Sequence, residues 1–491
     1  MIEPLLDADG VARLRAALTT AGYTSAGIAG RIGPEATAAM RRNDYRAALR
    51  ATGEGDPLGT LIRLFVCAQS EPAEAVARAL DPLPPDAALA AGLVTPTVES
   101  GQLRAGVDLE PYGEDWWVLA DLPAGARTGP LPVDHVLGVG GASTTLAGAT
   151  VRDPVGTALD LGTGCGIQAL HLSTHARRVT ATDVAPRALR FAATTAALAG
   201  LDWELLAGDL TVPVAGRRFD LVVSNPPFIV GPGGPARYVY RDSGRSGDGV
   251  CAELAAAAPD LLTDGGTMQY LANWLHVSGE PWQERVASWV AGTGLDAWVV
   301  QREVTDPMSY VNLWLSDAGE SDRRLAAEWL DWFDAHKVEA VGFGVVNLRR
   351  AGHDDPVVRL EDLRQPFDQR LGEHVSAWFE RQSWLRAAAG DLLAHRYRAA
   401  PGLRLRQEAS LGHDGWAVDR QVLALADGLR WSEEVDPLVL ALVGGCDGAL
   451  PLRDQIDLLA AAHQVAPAEL AEVATPIVAH LVERGFLAAG G

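Results

Sequence analysis

Lysine is almost missing from this chain. Lys337 is the only one in 491 residues, and 63 carboxylates face 41 basic groups for a formal charge of -22. Proteins that hold nucleic acid through its phosphates usually gather positive charge, because neutralising phosphates releases their counterions. The sign of this chain therefore disfavours RNA and DNA as partners. Cysteine is scarce too: Cys67, Cys165, Cys251 and Cys446 lie far apart with no Cys-x-x-Cys or Cys/His ligand spacing. That excludes a disulfide framework and a structural zinc. No uncharged apolar run approaches the roughly 18 residues of a membrane span, and the first residues lack the basic and apolar stretches of a signal peptide. These absences predict a cytoplasmic protein with neither a membrane nor a metal as partner.

What is present is an ordinary globular composition, 48% apolar and 21% charged, which excludes a disordered chain. The length predicts roughly two to four domains. Residues 1–129 read as helices followed by short alternating stretches around Leu103 and Trp116, the order of a winged-helix module. Over 130–352 the texture becomes α/β. Apolar runs at Val155–Leu161, Arg178–Asp183, Trp203–Ala207, Phe219–Ser224 and Gly266–Trp274 alternate with helical stretches, and 295–303 and 341–348 close the series as an antiparallel edge. Strands alternating with helices of this length predict right-handed crossovers and a mainly parallel sheet. Residues 353–491 end in three helical stretches, 437–443, 451–463 and 468–482, and a turn into a last strand, again in winged-helix order. Residues 431–491 hold nine carboxylates against Arg453 and Arg484, so this module is expected to pack on something rather than read a groove.

Two strings carry chemistry. In Asp160-Leu-Gly-Thr-Gly-Cys-Gly166, three glycines alternate directly after an apolar strand and before a helix. Glycine there permits a sharp turn and lets a ligand approach main-chain N–H groups with no Cβ in the way. Asp160 is placed to meet a ligand ammonium, and Asp183, at the end of the next strand, to accept from a ribose diol. An adenosine with a charged amino-acid tail fits this pair better than a pyrophosphate. The second string is the strand end Asn225-Pro226-Pro227-Phe228. Two prolines force the chain out of the sheet at its carboxyl edge, where open α/β sheets place ligands. That corner offers an amide, main-chain carbonyls and an aromatic face to a planar nitrogen, and positioning alone supplies much of a transfer reaction.

On these residues, the segment from about 133 to 275 resembles the class I S-adenosylmethionine-dependent methyltransferases. Within them it is similar to the Asn-Pro-Pro-Tyr/Phe branch of release-factor glutamine methyltransferases and adenine or guanine exocyclic-amine methyltransferases. The resemblance implies a Rossmann-like seven-stranded sheet flanked by winged-helix-like domains, with S-adenosyl-L-methionine as cofactor. By the same resemblance, Asp160, Gly162, Thr163, Gly164 and Gly166 would cradle the methionine part. Asp183 would hold the ribose, Val184 the adenine, Asp209 with Leu210 the adenine amine, and Asn225 to Phe228 the target nitrogen. Phe228 stands where the glutamine enzymes usually carry tyrosine, and Thr194-Thr-Ala where they often carry Asn-Ala.

Residues 229–249 form a long connection beside the motif, of the kind that covers a site. Tyr238, Tyr240 and Arg241 are its candidate substrate contacts, and Ser143 and Thr144 lie where a helix would start over the cofactor. The function expected is methyl transfer to a planar nitrogen, with a protein side-chain amide or small molecule favoured by the acidity over a base of RNA or DNA. The reading that competes with it is a non-catalytic cofactor-binding scaffold. His171 and His175, four residues apart, lack a third ligand nearby, and Trp329 and Trp332 at helical spacing read as core.

Overall fold

A computed structural model describes residues 2–490 apart from 43, 54, 128, 130, 235, 236, 318, 321, 367–369 and 414. Its contacts divide the chain into two compact units, one formed by 1–147 with 154–362 and the other by 148–153 with 363–491.

The first unit is built on an eight-stranded sheet. Its strands are β1 (Val155–Leu161), β2 (Ala176–Asp183), β3 (Trp203–Ala207), β4 (Phe219–Ser224), β5 (Leu262–Val277), β6 (Asp296–Thr305), β7 (Val338–Arg349) and β8 (Val358–Asp362). The order across the sheet is β8-β6-β7-β5-β4-β1-β2-β3. Strands β1 to β5 pair in parallel, while β7 runs antiparallel to β5 and β6. This is the Rossmann-like methyltransferase arrangement, extended by one strand beyond the seven expected. Short β8 adds in parallel to the outer side of β6 and carries the chain past the expected boundary at 352. In β4 every residue but Asp220 is buried, the pattern of a strand covered on both faces.

The chain order reverses between β1 and β4, so the crevice outside the carboxyl ends of these two strands is where such a sheet receives a ligand. Helices Pro307–Asp317 and Arg323–Ala335, inserted between β6 and β7, pack Tyr310, Val311, Leu315, Trp329 and Phe333 against Leu275 and Val230. The Tyr310 hydroxyl accepts from Val230 N at 2.9 Å, and Trp329 Nε1 donates to the Val230 carbonyl at 2.9 Å. These bonds fix the chain just beyond Phe228.

The N-terminal residues belong to the same unit. Helices Ala8–Ala21 and Ser25–Met40 lead to a three-stranded sheet of Glu71–Pro72, Gln102–Ala105 and Val94–Pro96, and then to the hairpin Asp108–Tyr112/Trp116–Ala120. Gly33, at φ 82°, breaks the second helix. The buried threonines on helix Pro186–Ala199 tie this region to the sheet: Leu5 N donates to Thr194 Oγ1 at 2.9 Å and Leu119 N to Thr195 Oγ1 at 3.3 Å. Where the resembling enzymes often carry Asn-Ala, these hydroxyls satisfy incoming backbone N–H groups.

In the second unit, Arg396–Ala399 is the middle strand between Asp447–Pro451 and Leu487–Gly490. Helices Pro437–Gly444, Leu452–His463 and Pro467–Arg484 close over Tyr397, Leu442, Ile456, Val478 and Phe486. A long hairpin, Leu403–Gly412 with Gly415–Leu425, was not foreseen; most of its residues are exposed. All four cysteines are buried free thiols. No helix among the described residues is long and apolar enough to cross a membrane.

Candidate active site

A cavity of about 390 Å³ opens at the carboxyl ends of β1, β2 and β4, within the size range of small-molecule and cofactor sites. Its wall includes Gly162, Thr163, Gly164, Asp183, Val184, Asp209, Leu210 and the whole of Asn225 to Phe228. Two strings whose first residues, Asp160 and Asn225, are 65 apart in sequence thus share one cavity, because β1 and β4 are hydrogen-bonded neighbours and Ser224 Oγ donates to the Leu161 carbonyl at 2.8 Å.

The glycines divide by role. Gly162 and Gly164 have φ of 72° and 56°, and a Cβ on either would meet nothing within 4 Å, so it would project into open space at the cavity. Gly166, at φ 87°, lies off the cavity wall; a Cβ there would come within 2.7 Å of Trp203 Cζ3. Its place in the motif is explained by close packing of the helix start on β3, not by ligand approach.

Asp160 is also set back from the cavity wall. It is fully buried, and its Oδ2 accepts from Thr163 Oγ1 at 2.6 Å and Ala169 N at 3.1 Å, holding loop to helix. Oδ1 is buried with no hydrogen-bond partner. Burial pushes the carboxyl up to about 7, against the lowering effect of its two hydrogen bonds, and the nearby Asp183 charge raises it further. Asp183 does face the cavity. Its Oδ2 accepts from Gly164 N and its Oδ1 from Ala185 N, each at 2.9 Å, which leaves lone pairs on both oxygens. Burial raises its pKa and these backbone bonds oppose the rise. Val184 is half exposed at 51%, presenting apolar surface to the same space.

At the other end, Pro226 O accepts from Phe228 N at 2.7 Å, fixing the turn. The Phe228 ring is 6% exposed and lies 5.6 Å from Phe343 and 6.2 Å from Trp314, centroid to centroid. Tyr240 lines the cavity, its hydroxyl buried without a hydrogen-bond partner and its ring 5.7 Å from His135. Arg241 lines it as well but is 3% exposed. Its guanidinium donates to Asp242 Oδ1 at 3.0 Å and the Trp314 carbonyl at 3.1 Å, over the ring of Tyr238. Tyr238 is buried outside the cavity wall, so it meets the site through Arg241 and through the ring of Tyr240, 5.8 Å away. The segment around these residues is packed down: Val239 N donates to Val133 O and Gly247 N to Gly231 O, each at 2.9 Å. Ser143 lines the cavity; Thr144 does not, its exposed hydroxyl donating back to the Gly141 carbonyl at 3.0 Å.

Sequence reasoning missed His135, Leu313, Trp314 and Asp317, all on the wall. Beneath His135, the fully buried Asp121 receives Arg187 Nε at 3.0 Å and Val136 N at 3.0 Å. Among the described residues no group of three or more His, Cys, Asp or Glu side chains is placed to hold a metal. His171 instead bonds the Tyr112 hydroxyl through Nε2 at 2.9 Å.

Residues 139–278 match the methyltransferase small domain family. This segment is a methyltransferase small domain. The methyltransferase domain is flanked by matches to two families described as domains of unknown function, DUF7059 over 20–106 and DUF7782 over 376–489. A ribosomal RNA small subunit methyltransferase C of Alcanivorax borkumensis is 31% identical over 118 residues, 24% of this chain and 32% of the relative. A release factor glutamine methyltransferase of Deinococcus radiodurans is 47% identical over 73 residues, 14% of this chain and 26% of the relative. A ribosomal protein uL3 glutamine methyltransferase of Bradyrhizobium diazoefficiens is 31% identical over 159 residues, 29% of this chain and 50% of the relative. The chain thus spans between about a quarter and a half of the length of these curated relatives. The family match over 139–278 takes in both strings that line the cavity.

Proposed function

We propose that the protein is an S-adenosylmethionine-dependent N-methyltransferase acting on a planar nitrogen. Its catalytic domain begins at about 130 and runs past the expected 352 to the end of β8 at 362, with 1–129 and 363–491 as winged-helix-like flanking domains. The observation that carries the reading is the single cavity joining the glycine loop to Asn225-Pro226-Pro227-Phe228. When bound, S-adenosylmethionine supplies a methyl group already activated on a sulfonium. The residues present fit it: open space over Gly162 and Gly164 for the methionine part, uncommitted lone pairs on Asp183 for the ribose, exposed Val184 and half-buried Leu210 for the adenine face, and Asp209 for the adenine amine. Asp160, set behind the loop, adds negative charge beneath a cationic ligand.

The rest of the work falls to the chain itself. The Asn225 side chain and the second lone pair of the Pro226 carbonyl accept the acceptor's N–H groups, while Phe228, held against Phe343 and Trp314, offers its face to the planar group. None of these has to be rebuilt at the moment of transfer, so the cost of orienting the nitrogen is met by the fold.

For the acceptor we favour a protein side-chain amide or a small molecule over a nucleic-acid base. The basic residues of 229–249 are consumed by carboxylates: Arg237 lies 3.9 Å from Glu320, Arg241 3.0 Å from Asp242, and Arg245 2.8 Å from Glu253 and 3.5 Å from Asp209. Asp317 and the exposed apolar residues Leu137, Val184 and Leu313 share the wall. Such a mouth offers little to a phosphate backbone. The test is to incubate the full chain with a radiolabelled methyl donor and cell lysate. Label removed by protease or filtration is expected; label removed by nuclease overturns the acceptor class, and no label at all overturns the activity.

A further inference from the structure

The second unit holds a cavity of its own, about 320 Å³ in volume, whose wall includes Arg381 and Trp384 of helix Leu371–Ala388 with Pro401, Val482 and Leu487. Arg381 is the only basic residue on that wall. Its Nε donates to the Glu483 carbonyl at 2.9 Å, at the end of helix Pro467–Arg484. Its guanidinium rests over Gly485, where a Cβ would lie 3.7 Å from Cζ. Neither Nη group has a hydrogen bond or ion pair to any described residue. Burial holds the Arg381 pKa below the ordinary arginine value, with Glu483 and Glu380 opposing the shift only at a distance.

Arg381 is half-buried, and a charge withdrawn even partly from water gains most from an opposite charge that meets it. An arginine that spends one donor on a helix end and turns the remaining fork toward a largely apolar cavity is short of a partner. The fork matches a carboxylate through two parallel N–H···O bonds. The wall beside it, Trp384, Pro401, Val482 and Leu487, suits a hydrocarbon body. Glu380 on the same wall is exposed, and its charge opposes a doubly charged phosphate more than a singly charged carboxylate. We infer that this cavity binds a carboxylate carried on an apolar body, with Arg381 as the anion-binding group. The inference does not depend on methyl transfer. The structure also allows a plainer role, in which Arg381 only caps the helix carbonyls, and the experiment separates the two.

The full chain is titrated calorimetrically with hexanoate, with neutral hexanamide and with inorganic phosphate, as wild type and as the Arg381→Met and Arg381→Lys variants. Hexanoate is expected to bind the wild type, with hexanamide and phosphate weaker by roughly tenfold or more, the scale of a charge-assisted hydrogen-bond pair. Arg381→Met is expected to abolish hexanoate binding without lowering the thermal midpoint, since it keeps the packing of the stem and the charge it removes is only half-buried. Arg381→Lys keeps the charge but not the fork and is expected to bind several-fold more weakly. Equal binding of hexanamide, or of hexanoate by Arg381→Met, overturns the inference in favour of an indifferent apolar cavity. Tighter binding of phosphate overturns the ligand class. Absence of hexanoate binding, together with a lowered midpoint in Arg381→Met, leaves the helix cap as the whole role of Arg381.

Discussion

Asp160 makes the ligand-free protein sensitive to pH in a way that one substitution isolates. Its carboxyl is fully buried with Oδ1 unpartnered and is pushed from an ordinary 3.8 up to about 7, first by burial, against the hydrogen bonds from Thr163 and Ala169. Between pH 4 and 7 the folded protein keeps a proton that the unfolded chain has lost. Its stability therefore falls as pH rises through that window and is flat above it. At about 1.4 kcal/mol per unit, a shift of this size corresponds to about 4 kcal/mol as an upper bound. Asp160→Asn keeps the shape and cannot ionise, so the difference between the two stability profiles reports this group alone. The assay is denaturant unfolding of wild type and variant at intervals from pH 4 to 8, followed by a probe in the methyltransferase domain. The wild type is expected to lose stability relative to the variant by several kcal/mol across the window. A cationic ligand favours the ionised form, so S-adenosylmethionine binding at pH 6 is expected to release a proton, read by calorimetry in buffers of different ionisation enthalpy. Parallel profiles for the two proteins would refute the reasoning.

Four other outcomes are expected. Tyr240→Phe removes a buried hydroxyl that has no partner, so it should stabilise the ligand-free protein by roughly 1–2 kcal/mol in thermal unfolding while lowering methyl transfer; lower stability would mean that the hydroxyl is satisfied. Gly166→Ala drives a Cβ against Trp203 and should cost about 1–3 kcal/mol of stability, whereas Gly164→Ala should mainly weaken cofactor affinity; equal effects on both readouts would erase the division of roles. Arg187→Met leaves Asp121 buried without its cation and should destabilise by about 3 kcal/mol in denaturant titration, and a neutral result would show the pair to be dispensable. Raising salt from 50 to 200 mM should change transfer less than about threefold, where 6–10 phosphate contacts would cost about 10³-fold or more.

Much of the methyltransferase domain was legible because its signals are local. Glycines at alternate positions between an apolar run and a helix, and two prolines ending another apolar run, announce their geometry within ten residues. The alternation of strands and helices then put both strings at one sheet edge. What stayed hidden is long-range. Leu313, Trp314 and Asp317 reach the cavity from a helix some 90 residues beyond the motif, and nothing in their spacing distinguishes them from core or surface positions. Strand β8 has no fully buried residue, so no apolar pattern marked it. Gly166 and Asp160 look alike to a ligand-based reading of the motif, yet packing on Trp203 and bonds to Thr163 and Ala169 give them structural duties. The carboxylate partners of Arg237, Arg241 and Arg245, up to 83 residues away in sequence, are likewise invisible to local spacing.

The central claim is that Asn225-Pro226-Pro227-Phe228 orients a nitrogen beside a cofactor held elsewhere in the same cavity. Asn225→Ala separates the two functions, with S-adenosylmethionine affinity measured by calorimetry and methyl transfer by incorporation of label in lysate. Affinity within a few-fold of wild type together with a loss of transfer of about 10²-fold or more is the predicted result. Transfer undiminished by the substitution would contradict the account.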